Sequence, residues 1–378
     1  MLRVAMIADH PDSEDVIDGG VQAVTHYLVR AMSVIKDIDL HVVCFQSNMV
    51  PTMAHVPEGF TRHVLPKQSL GALTAYKRSQ NSLNSLLKEL QPDIVHGQGV
   101  GHDGIIVARC KFPHVLTVHG ILQEETRHLP TLRARARHRL QNELSKYYCI
   151  RSARNTILIS PYVGDYWGKT LSGIRHMIPN PIDASFFDIK RAAEPGRILY
   201  AGRLRSLKGV HDLIDAAAKL ELQNGLRVIL AGSIAEKEYV ADLNRKIEQH
   251  QLTQHVEVKG LIDLSSMRDE LSRASVLVLP SYQETAPMVI QEAMASGVPV
   301  IASNVGGVKY QLIDGKTGFI FEPGDTDTLA EKLATLLSSQ RIQDQFSISA
   351  REHALRHFQA ASVAMATVDV YRKILAAI

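Results

Sequence analysis

The stretch VLVLPSYQETAPMVIQEAMASGVPVIAS, residues 276–303, contains a complete strand–loop–helix–strand unit. Its two ends, VLVLPS (276–281) and VPVIAS (298–303), are continuously apolar, which is typical of strands buried on both faces of a parallel sheet. Pro287 suits the first turn of the helix between them, because the N–H that proline lacks has no partner there. The stretch therefore predicts one βαβ unit with parallel strands.

The same alternation extends outward from this unit in both directions. Apolar runs predict further strands at 3–9, 40–45, 93–99, 114–120, 155–160, 197–202, 227–232 and 256–261. Amphipathic spacing predicts helices at 21–35, 210–220 and 327–337, and a last helix at 358–377. Strand–helix alternation over the whole chain predicts an α/β fold with doubly wound parallel sheets.

The alternation pauses over PNPIDASFFDIKRAAEPG, which carries three prolines and no clean period, and restarts at RILYAG (197–202). A chain of 378 residues is long enough for two or three domains. We therefore predict two Rossmann-like domains that face each other across a cleft. The expected division is a first domain at 1–180, a linker at 181–196, a second domain at 197–357 and a helix at 358–378 packing back toward the first domain.

Composition excludes several classes of protein. The net charge of +3 lacks the concentrated basic face expected of a nucleic-acid binder. Three cysteines, Cys44, Cys110 and Cys149, form no CxxC pair and are expected to stay unpaired and buried in a reducing compartment. The N-terminus does not read as a signal peptide, and no apolar run is long enough for a membrane helix. A cytoplasmic location is expected, with peripheral contact at the inner face of the membrane as an alternative.

Candidate site residues lie just after predicted strands, because ligands of open α/β sheets bind at the carboxyl ends of strands. Glu284 lies in the loop after 276–281, and Glu292 lies more than one turn into the following helix. A carboxylate accepts two hydrogen bonds side by side, so it can hold the vicinal hydroxyls of a sugar or ribose. A solvated loop glutamate and a surface helical glutamate are the alternative interpretations.

Two other loops carry features suited to phosphate. GRLRSLKG (202–209) follows a predicted strand and brings together Arg203, Arg205 and Lys208, which fits a diphosphate clamp, although a solvated basic loop is the alternative. The pair Gly19–Gly20 precedes the first helix and would let the backbone approach a phosphate, or it forms an ordinary loop.

No metal site is predicted. The triplet Asp37–Ile38–Asp39 lies between a helix and a strand, and Asp325–Thr326–Asp327 has the position of a helix N-cap. Arg203 and Lys208 would supply the positive charge that Mg²⁺ would otherwise bring. No cofactor is expected.

Several segments together resemble the retaining glycosyltransferases of the two-Rossmann (GT-B) architecture, in particular the family 4 group. The segments occur in that family's order and cover nearly the whole chain: GGVQAVTHYLVRAM, TVHG, AGRLRSLKG, ETAPMVIQEAMASGVPVIAS and GGVKYQLIDGKTGFIFEPGD. The resemblance implies transfer of a hexose-type sugar from a UDP- or GDP-linked donor to a glycan, a lipid-linked acceptor or a small molecule, without a metal ion. It also implies that the domain at 1–180 is the acceptor side and that the domain at 197–357 binds the nucleotide sugar.

The resemblance also implies roles for individual residues. Glu284 and His119 would contact the donor sugar, and Glu292 would hold the ribose. The diphosphate would meet Arg203 and Lys208. Main-chain contacts to the donor are implied for Gly19, Gly20, Gly260, Leu261, Thr285, Ala286, Pro287 and Met288. Ala286–Pro287 replaces a glycine common in the family, Pro181 replaces the glycine after Ile178–Pro179–Asn180, and Lys309–Tyr310 stand where a glutamate is common.

A local basic excess lies in RHLPTLRARARHRLQ (127–141). Its interpretations are a solvated helix flanking the acceptor site, or a helix that contacts anionic lipid headgroups or an anionic acceptor. Sedimentation with anionic vesicles at two salt concentrations separates these, because headgroup contact must weaken as salt rises.

No obvious nucleophile for a covalent intermediate is present, so the expected route is front-side attack with the leaving phosphate taking the acceptor's proton. Two alternatives remain: a nucleotide-sugar epimerase of the same architecture, and a non-catalytic scaffold that keeps the fold.

Overall fold

The computed structural model describes residues 1–11, 17–47, 49–67, 71–121, 123–124, 132–220 and 225–378, without the side chains of 133 and 134. These residues form two compact units. The first comprises Met1–Asp12, Val24–Pro181 and Ala360–Ile378, and the second comprises Ser13–Ala23 and Ile182–Gln359. Gly19 and Gly20 group with the second unit because their neighbours include Arg203 and Met288.

The first unit contains a sheet of eight strands among its described residues, in the spatial order β3-β4-β2-β1-β5-β6-β7-β8. The strands are β1 (Leu2–Ile7), β2 (Ile38–Gln46), β3 (Thr52–Val56), β4 (Phe60–Pro66), β5 (Ile94–Gln98), β6 (His114–Val118), β7 (Asn155–Leu158) and β8 (Ile174–Met177). All pairings are parallel except that of the edge strand β3 with β4. The helices are Gly20–Ser33, which begins in the second unit, and Lys77–Leu90, His102–Val107, Leu132–Ser145, Pro161–Trp167 and Ala360–Ala376.

The first unit's core lies where its sheet meets the helices. It includes Val4, Met6 and Val42 from the central strands, and the last helix contributes Val368 and Tyr371. β5 is buried along its whole length, whereas almost every side chain of β3 is exposed. An exposed edge strand has no continuous apolar run, which explains why the sequence pattern did not reveal β3.

The second unit contains a sheet of six strands among its described residues, in the order β11-β10-β9-β12-β13-β14, with every pairing parallel. The strands are β9 (Arg197–Ala201), β10 (Arg227–Ala231), β11 (Val256–Gly260), β12 (Val276–Leu279), β13 (Val300–Ser303) and β14 (Gly318–Phe321). The helices are Ala184–Phe187, Val210–Ala218, Lys237–Gln249, Leu264–Arg273, Met288–Ala295, Thr326–Leu337 and Gln340–His357.

The strand order of the second sheet reverses between β9 and β12. The chain moves outward from β9 through β10 to β11 and then returns to the other side of β9 at β12. The loops that leave β9 and β12 therefore start side by side at the carboxyl edge of the sheet, at the kind of strand-order reversal where ligands of open α/β sheets bind. GRLRSLKG and the Glu284 loop are these two loops.

The predicted α/β class with two doubly wound sheets is confirmed, and each predicted apolar run overlaps a strand. The predicted N-cap at Asp325 is also confirmed, since its side chain accepts a hydrogen bond from the Thr328 N–H. The three cysteines are free, but Cys110 is only half-buried, so the expectation of full burial was wrong for it.

No helix among the described residues combines the length and the apolar character needed to cross a membrane. Of the basic segment 127–141, residues 127–131 lie outside the described part of the chain. Residues 132–141 belong to the helix Leu132–Ser145, on which Leu132 is exposed.

Candidate active site

The loops after β9 and β12 pack directly against each other. Gly209 ends the short turn Ser206–Lys208 with a φ of 63°, and a Cβ there would lie 2.1 Å from the carbonyl oxygen of Pro280. The backbone N–H of Tyr282 donates to the carbonyl oxygen of Leu207 at 2.9 Å. This close approach requires glycine at 209 and brings the two loops' functional side chains together.

Lys208 and Glu284 form an ion pair at the centre of this contact. The Lys208 Nζ lies 2.5 Å from Glu284 Oε1, and the Ser281 hydroxyl donates to the same oxygen at 2.8 Å. The Lys208 side chain is 23% exposed and that of Glu284 is 10% exposed. Partial removal from water strengthens the attraction between the two charges and holds both side chains in place.

The helix Met288–Ala295 begins immediately beyond the Glu284 loop. Pro287 has an extended ψ of 121° and is the N-cap residue, so the prediction that it lies in the first turn was wrong by one position. The first N–H groups of the helix have no partner within it and carry the positive end of its dipole. Thr285, Ala286 and Pro287 thus lead the backbone into an anion-attracting helix start.

Glu292 lies in the second turn of the same helix. It is only 6% exposed, which excludes the interpretation as a freely solvated surface glutamate. A buried carboxylate at this position is costly unless it has a polar partner, and Glu292 does take part in polar interactions in this structure. A buried carboxylate at this position can bind hydroxyl groups, whereas an exposed one would only add charge to the surface.

Arg203 contacts the glycine loop instead of Glu284. Its Nε lies 3.2 Å from Asp18 Oδ1, and its terminal nitrogen donates to the Asp18 carbonyl at 2.7 Å. A Cβ at Gly19 would lie 2.7 Å from that nitrogen, and one at Gly20 would lie 3.6 Å from Met288 Cγ. The glycine pair, Arg203 and the start of the helix Met288–Ala295 are therefore neighbours.

The third cation of the basic loop has another function. Arg205 Nε lies 3.6 Å from Glu236 Oε1, and Glu236 also accepts from the Ser206 N–H at 2.9 Å. Arg205 therefore helps to fix the turn that carries Lys208.

Three neighbouring strands of the second unit each lead into a glycine at the carboxyl edge of the sheet. The Gly232 N–H donates to the Gly260 carbonyl at 2.7 Å, and a Cβ at Gly232 would lie 1.9 Å from the Gly202 carbonyl oxygen. Space around Gly260 is open, since nothing lies within 4 Å of a Cβ built there, and the adjacent Leu261 is 44% exposed. This edge is a backbone surface on which a flat group can lie.

His119 belongs to the first unit and directly follows β6. Its Nε2 lies 2.6 Å from Gln98 Oε1, at the end of the neighbouring strand β5. Burial lowers the pKa of His119 to about 4, so the ring is neutral at physiological pH.

Sequence reasoning missed several residues of these surroundings: Asp18, Gln98, Gly232, Ser281 and Tyr282. Three predicted strands end at or next to a glycine, in YAG (200–202), LAG (230–232) and VKG (258–260). This repeated pattern could have identified Gly232 as a residue at the carboxyl edge of the sheet. The other residues become significant only through contacts between distant parts of the chain.

Comparison with known proteins agrees with this geometry. The family described as Glycosyl transferases group 1 matches residues 181–353, and Glycosyltransferase Family 4 matches residues 18–186. A glycogen synthase of Mycobacterium tuberculosis is 28% identical over 96% of this chain and 82% of its own length. An alpha-maltose-1-phosphate synthase of Mycolicibacterium smegmatis is 24% identical over 99% of this chain and 100% of its own length.

Solved structures show the same fold. Sucrose-phosphate synthase from Thermosynechococcus elongatus superimposes with a TM-score of 0.84 at 21% identity, covering 100% of both chains. The Anabaena protein HepE, solved in complex with UDP and glucose, gives a TM-score of 0.76 at 19% identity over 99% of this chain and 100% of its own. The chain belongs to the group 1 and family 4 glycosyltransferases, with the GT-B fold.

Proposed function

We propose that this glycosyltransferase moves a hexose-type sugar, with retention of anomeric configuration and without a metal ion, from a nucleotide-diphosphate sugar to a saccharide, lipid-linked or small-molecule acceptor. The observation that carries the proposal is the Lys208–Glu284 ion pair at the strand-order reversal of the second sheet. The pair places a cation that can neutralise a leaving phosphate next to a carboxylate that can bind sugar hydroxyls. Both groups lie beside the start of a helix.

The donor contacts follow from the chemistry of each group. Glu284 accepts hydrogen bonds from the donor sugar's hydroxyls, and Glu292 accepts those of the ribose. The diphosphate lies against Lys208, Arg203 and the main chain of 285–288, where fixed positive charge is available. Gly19 and Gly20 approach the diphosphate from their loop.

Two further contacts complete the donor site. The backbone at Gly260 and Leu261 meets the base, on the open part of the glycine edge. His119 contacts the donor sugar through its neutral ring.

The pairing of Glu284 supports front-side displacement rather than a covalent intermediate. Its Oε1 accepts from both Lys208 and Ser281, and a carboxylate engaged in this way is a weaker nucleophile than a free one. The acceptor hydroxyl attacks the anomeric carbon on the side from which the phosphate leaves, and the departing phosphate takes its proton. The enzyme contributes orientation and stabilisation of the diphosphate charge.

The relatives support a UDP-linked hexose and a saccharide acceptor. HepE was solved with UDP, with UDP-glucose, and with UDP and glucose. Two relatives are named for the synthesis of glycogen and of maltose 1-phosphate, and both of these are glucose-containing saccharides. A GDP-linked donor is the other candidate.

A thermal-shift panel of UDP, GDP, ADP and their sugars identifies the donor. A ligand at about 100 times its Kd stabilises the folded protein by about 2.7 kcal/mol, so the correct nucleotide raises the melting temperature above that of the others. If no nucleotide shifts the melting temperature, the proposal fails in favour of a non-catalytic scaffold. Proton NMR of the product, formed with the selected donor, reports the anomeric configuration, and inversion contradicts the retaining mechanism.

Replacing Lys208 by Ala tests the role of the ion pair. We expect turnover to fall by about 10²-fold or more, because a charge partner of the transition state is lost. Lys219→Ala is the matched control, since Lys219 pairs with the exposed Asp327 and its loss should leave turnover unchanged. Turnover within a few-fold of wild type for Lys208→Ala would refute the role of Lys208 in neutralising the leaving diphosphate.

The epimerase alternative differs in needing no acceptor. NMR of the donor with enzyme alone separates the two reactions. Conversion of the donor sugar to its epimer in this mixture would replace the transferase proposal.

A further inference from the structure

A chain of buried polar groups lies behind His119 in the first unit. His119 Nε2 meets Gln98 Oε1 at 2.6 Å, and the Gln98 side-chain nitrogen lies 3.3 Å from His96 Nε2. His96 Nε2 also lies 2.7 Å from the Thr117 hydroxyl, and its Nδ1 lies 2.6 Å from the Tyr371 hydroxyl. The chain therefore runs from the C-terminal helix Ala360–Ala376 through β5 to the end of β6.

The orientation of the Gln98 amide determines the direction of these hydrogen bonds. Its nitrogen lies 3.8 Å from the sulfur of Met6 as well as close to His96. A thioether sulfur accepts hydrogen bonds but cannot donate them, so the nitrogen belongs on this side and the oxygen on the side of His119. The Met6 contact thus selects one of the two amide orientations.

Counting donors and acceptors then assigns the protons. Burial lowers the pKa of His96 to about 3, so its ring is neutral and carries one proton. Gln98 donates to Nε2 of His96, which leaves the proton on Nδ1, facing the Tyr371 oxygen. Gln98 Oε1 can only accept, so Nε2 of His119 carries that ring's proton and Nδ1 is an acceptor.

The hydrogen bonds behind His119 are buried and therefore costly to lose. His119, Gln98, His96 and Thr117 line a cavity of about 20 Å³, which is room for a single water molecule. His96 and Tyr371 are completely buried and Gln98 is 4% exposed, so loss of any one hydrogen bond would leave a buried polar group without its partner.

We infer that Gln98, held by His96 and Tyr371, is a positioning residue that keeps His119 in its neutral Nε2–H form and presents Nδ1 as an acceptor for a hydroxyl of the donor sugar. The last part rests on the proposed function, whereas the proton assignment does not. The C-terminal helix Ala360–Ala376 thereby contributes to a substrate contact that it does not itself make.

Nitrogen-15 NMR of the histidine-labelled, ligand-free protein tests the proton assignment. At pH 7 the His119 signals, identified by their loss in His119→Gln, should show a protonated Nε2 and an unprotonated Nδ1. Gln98→Leu should produce a mixture of the two neutral forms. A proton on Nδ1 in the wild type, or an unchanged form in Gln98→Leu, overturns the inference.

Gln98→Glu provides a second variant of nearly the same shape in case Gln98→Leu does not fold. A carboxylate beside Nε2 favours the charged ring, so His119 should become doubly protonated near neutral pH. A ring that stays neutral in this variant contradicts direct control by residue 98.

Kinetics with the donor selected by the thermal-shift panel test whether Gln98 positions His119 for contact with the donor sugar. Gln98→Leu should raise the KM for the donor about tenfold or more, and Tyr371→Phe should raise it by a smaller factor. Thr367→Val is the control, since Thr367 lines the same cavity but donates to the Val363 carbonyl of its own helix. An unchanged KM in Gln98→Leu, or an equal rise in Thr367→Val, refutes the positioning role. If the panel selects no donor, the proposed function fails while the NMR test still stands.

Discussion

Lys208 depends on the backbone of the residue that follows it. Gly209 and Gly315 have similar positive φ values of 63° and 69°, but a Cβ at Gly209 would strike the Pro280 carbonyl, whereas one at Gly315 would meet nothing within 4 Å. The two glycines therefore separate the cost of a left-handed backbone from the cost of a clash.

We expect Gly315→Ala to lower the free energy of unfolding by about 1–2 kcal/mol, the cost of a left-handed alanine. Gly209→Ala should lower it by more, because the two loops must also move apart, and turnover should fall with it as Lys208 leaves Glu284. Urea denaturation measures both free energies. Equal losses in the two variants would show that the loop contact is not tight.

At the residue scale, the sequence predicted the site residues that follow strands. It did not predict the residues that form hydrogen bonds to those side chains. Glu284 and Lys208 could be identified because strand ends in an α/β sheet meet at one edge. Ser281 and Gln98 could not, because their importance comes from hydrogen bonds to residues whose positions depend on tertiary packing. Arg205 was grouped with the phosphate cations because its pairing with Glu236 is invisible in the sequence.

A largely buried cluster of three charged residues joins two strands and a helix of the second unit. Glu270, on the helix Leu264–Arg273, accepts from Arg197 of β9 at 2.6 Å and from Lys259 of β11 at 2.5 Å. The side chains of Glu270 and Arg197 are 2% and 3% exposed. Without Glu270, the buried Arg197 keeps only the more exposed Glu194 as a charged partner, and removing one partner of a buried ion pair is strongly destabilising.

Replacing Glu270 by Gln should lower the free energy of unfolding by about 3 kcal/mol or more. The control is Asp242→Ala, which removes an exposed partner of Arg245 and should change stability by less than about 0.5 kcal/mol. Chemical denaturation at neutral pH measures the free energies of unfolding of both variants. A loss below about 1 kcal/mol for Glu270→Gln would contradict a stabilising role for this buried carboxylate.

The same variant should show a dependence on pH. Burial alone raises the pKa of Glu270, but hydrogen bonds from Lys259 and Arg197 outweigh burial and hold the pKa below its usual value. A lowered pKa means that the stabilisation is present above the unfolded-state pKa and is lost as pH falls through the folded-state pKa. The difference between wild type and Glu270→Gln should therefore shrink in acid.

At the element scale, the predicted runs account for ten of the fourteen strands in the described part of the chain, and β3, β4, β8 and β14 were missed. The central strands are continuous apolar runs because helices cover both faces of the sheet. β3, β8 and β14 are edge strands, and β4 is mostly buried but has Thr61, Arg62 and His63 between its apolar residues. Such strands form because a neighbouring strand offers hydrogen bonds, and this information is absent from their own residues.

At the scale of the whole molecule, the chain's last helix belongs to the core of the first unit. Val363, Val368, Tyr371 and Ile374 are all buried there. At about 1.5–3 kcal/mol for each large apolar side chain, their burial is comparable to the 5–15 kcal/mol total stability of an ordinary domain.

Deleting residues 360–378 should therefore unfold the first unit and leave the second folded. Calorimetry should show the loss of one transition, and limited proteolysis should leave a protected fragment from the second unit. Deleting only residues 377–378 is the control and should leave both transitions in place. Survival of both transitions in the longer deletion would contradict the role of the helix in that core.

The contact between Asp18 and Arg203 means that the free enzyme already carries an anion on the guanidinium proposed for the diphosphate. When the donor binds, its diphosphate replaces Asp18 on Arg203. The measured binding free energy of the donor is therefore reduced by the free energy of the Asp18–Arg203 pair that is broken. Both side chains are nearly half exposed, so the internal pair contributes at most about 1 kcal/mol, or about fivefold in Kd. So small an advantage lets a multiply charged diphosphate displace Asp18 readily, while singly charged buffer ions gain little from the same exchange.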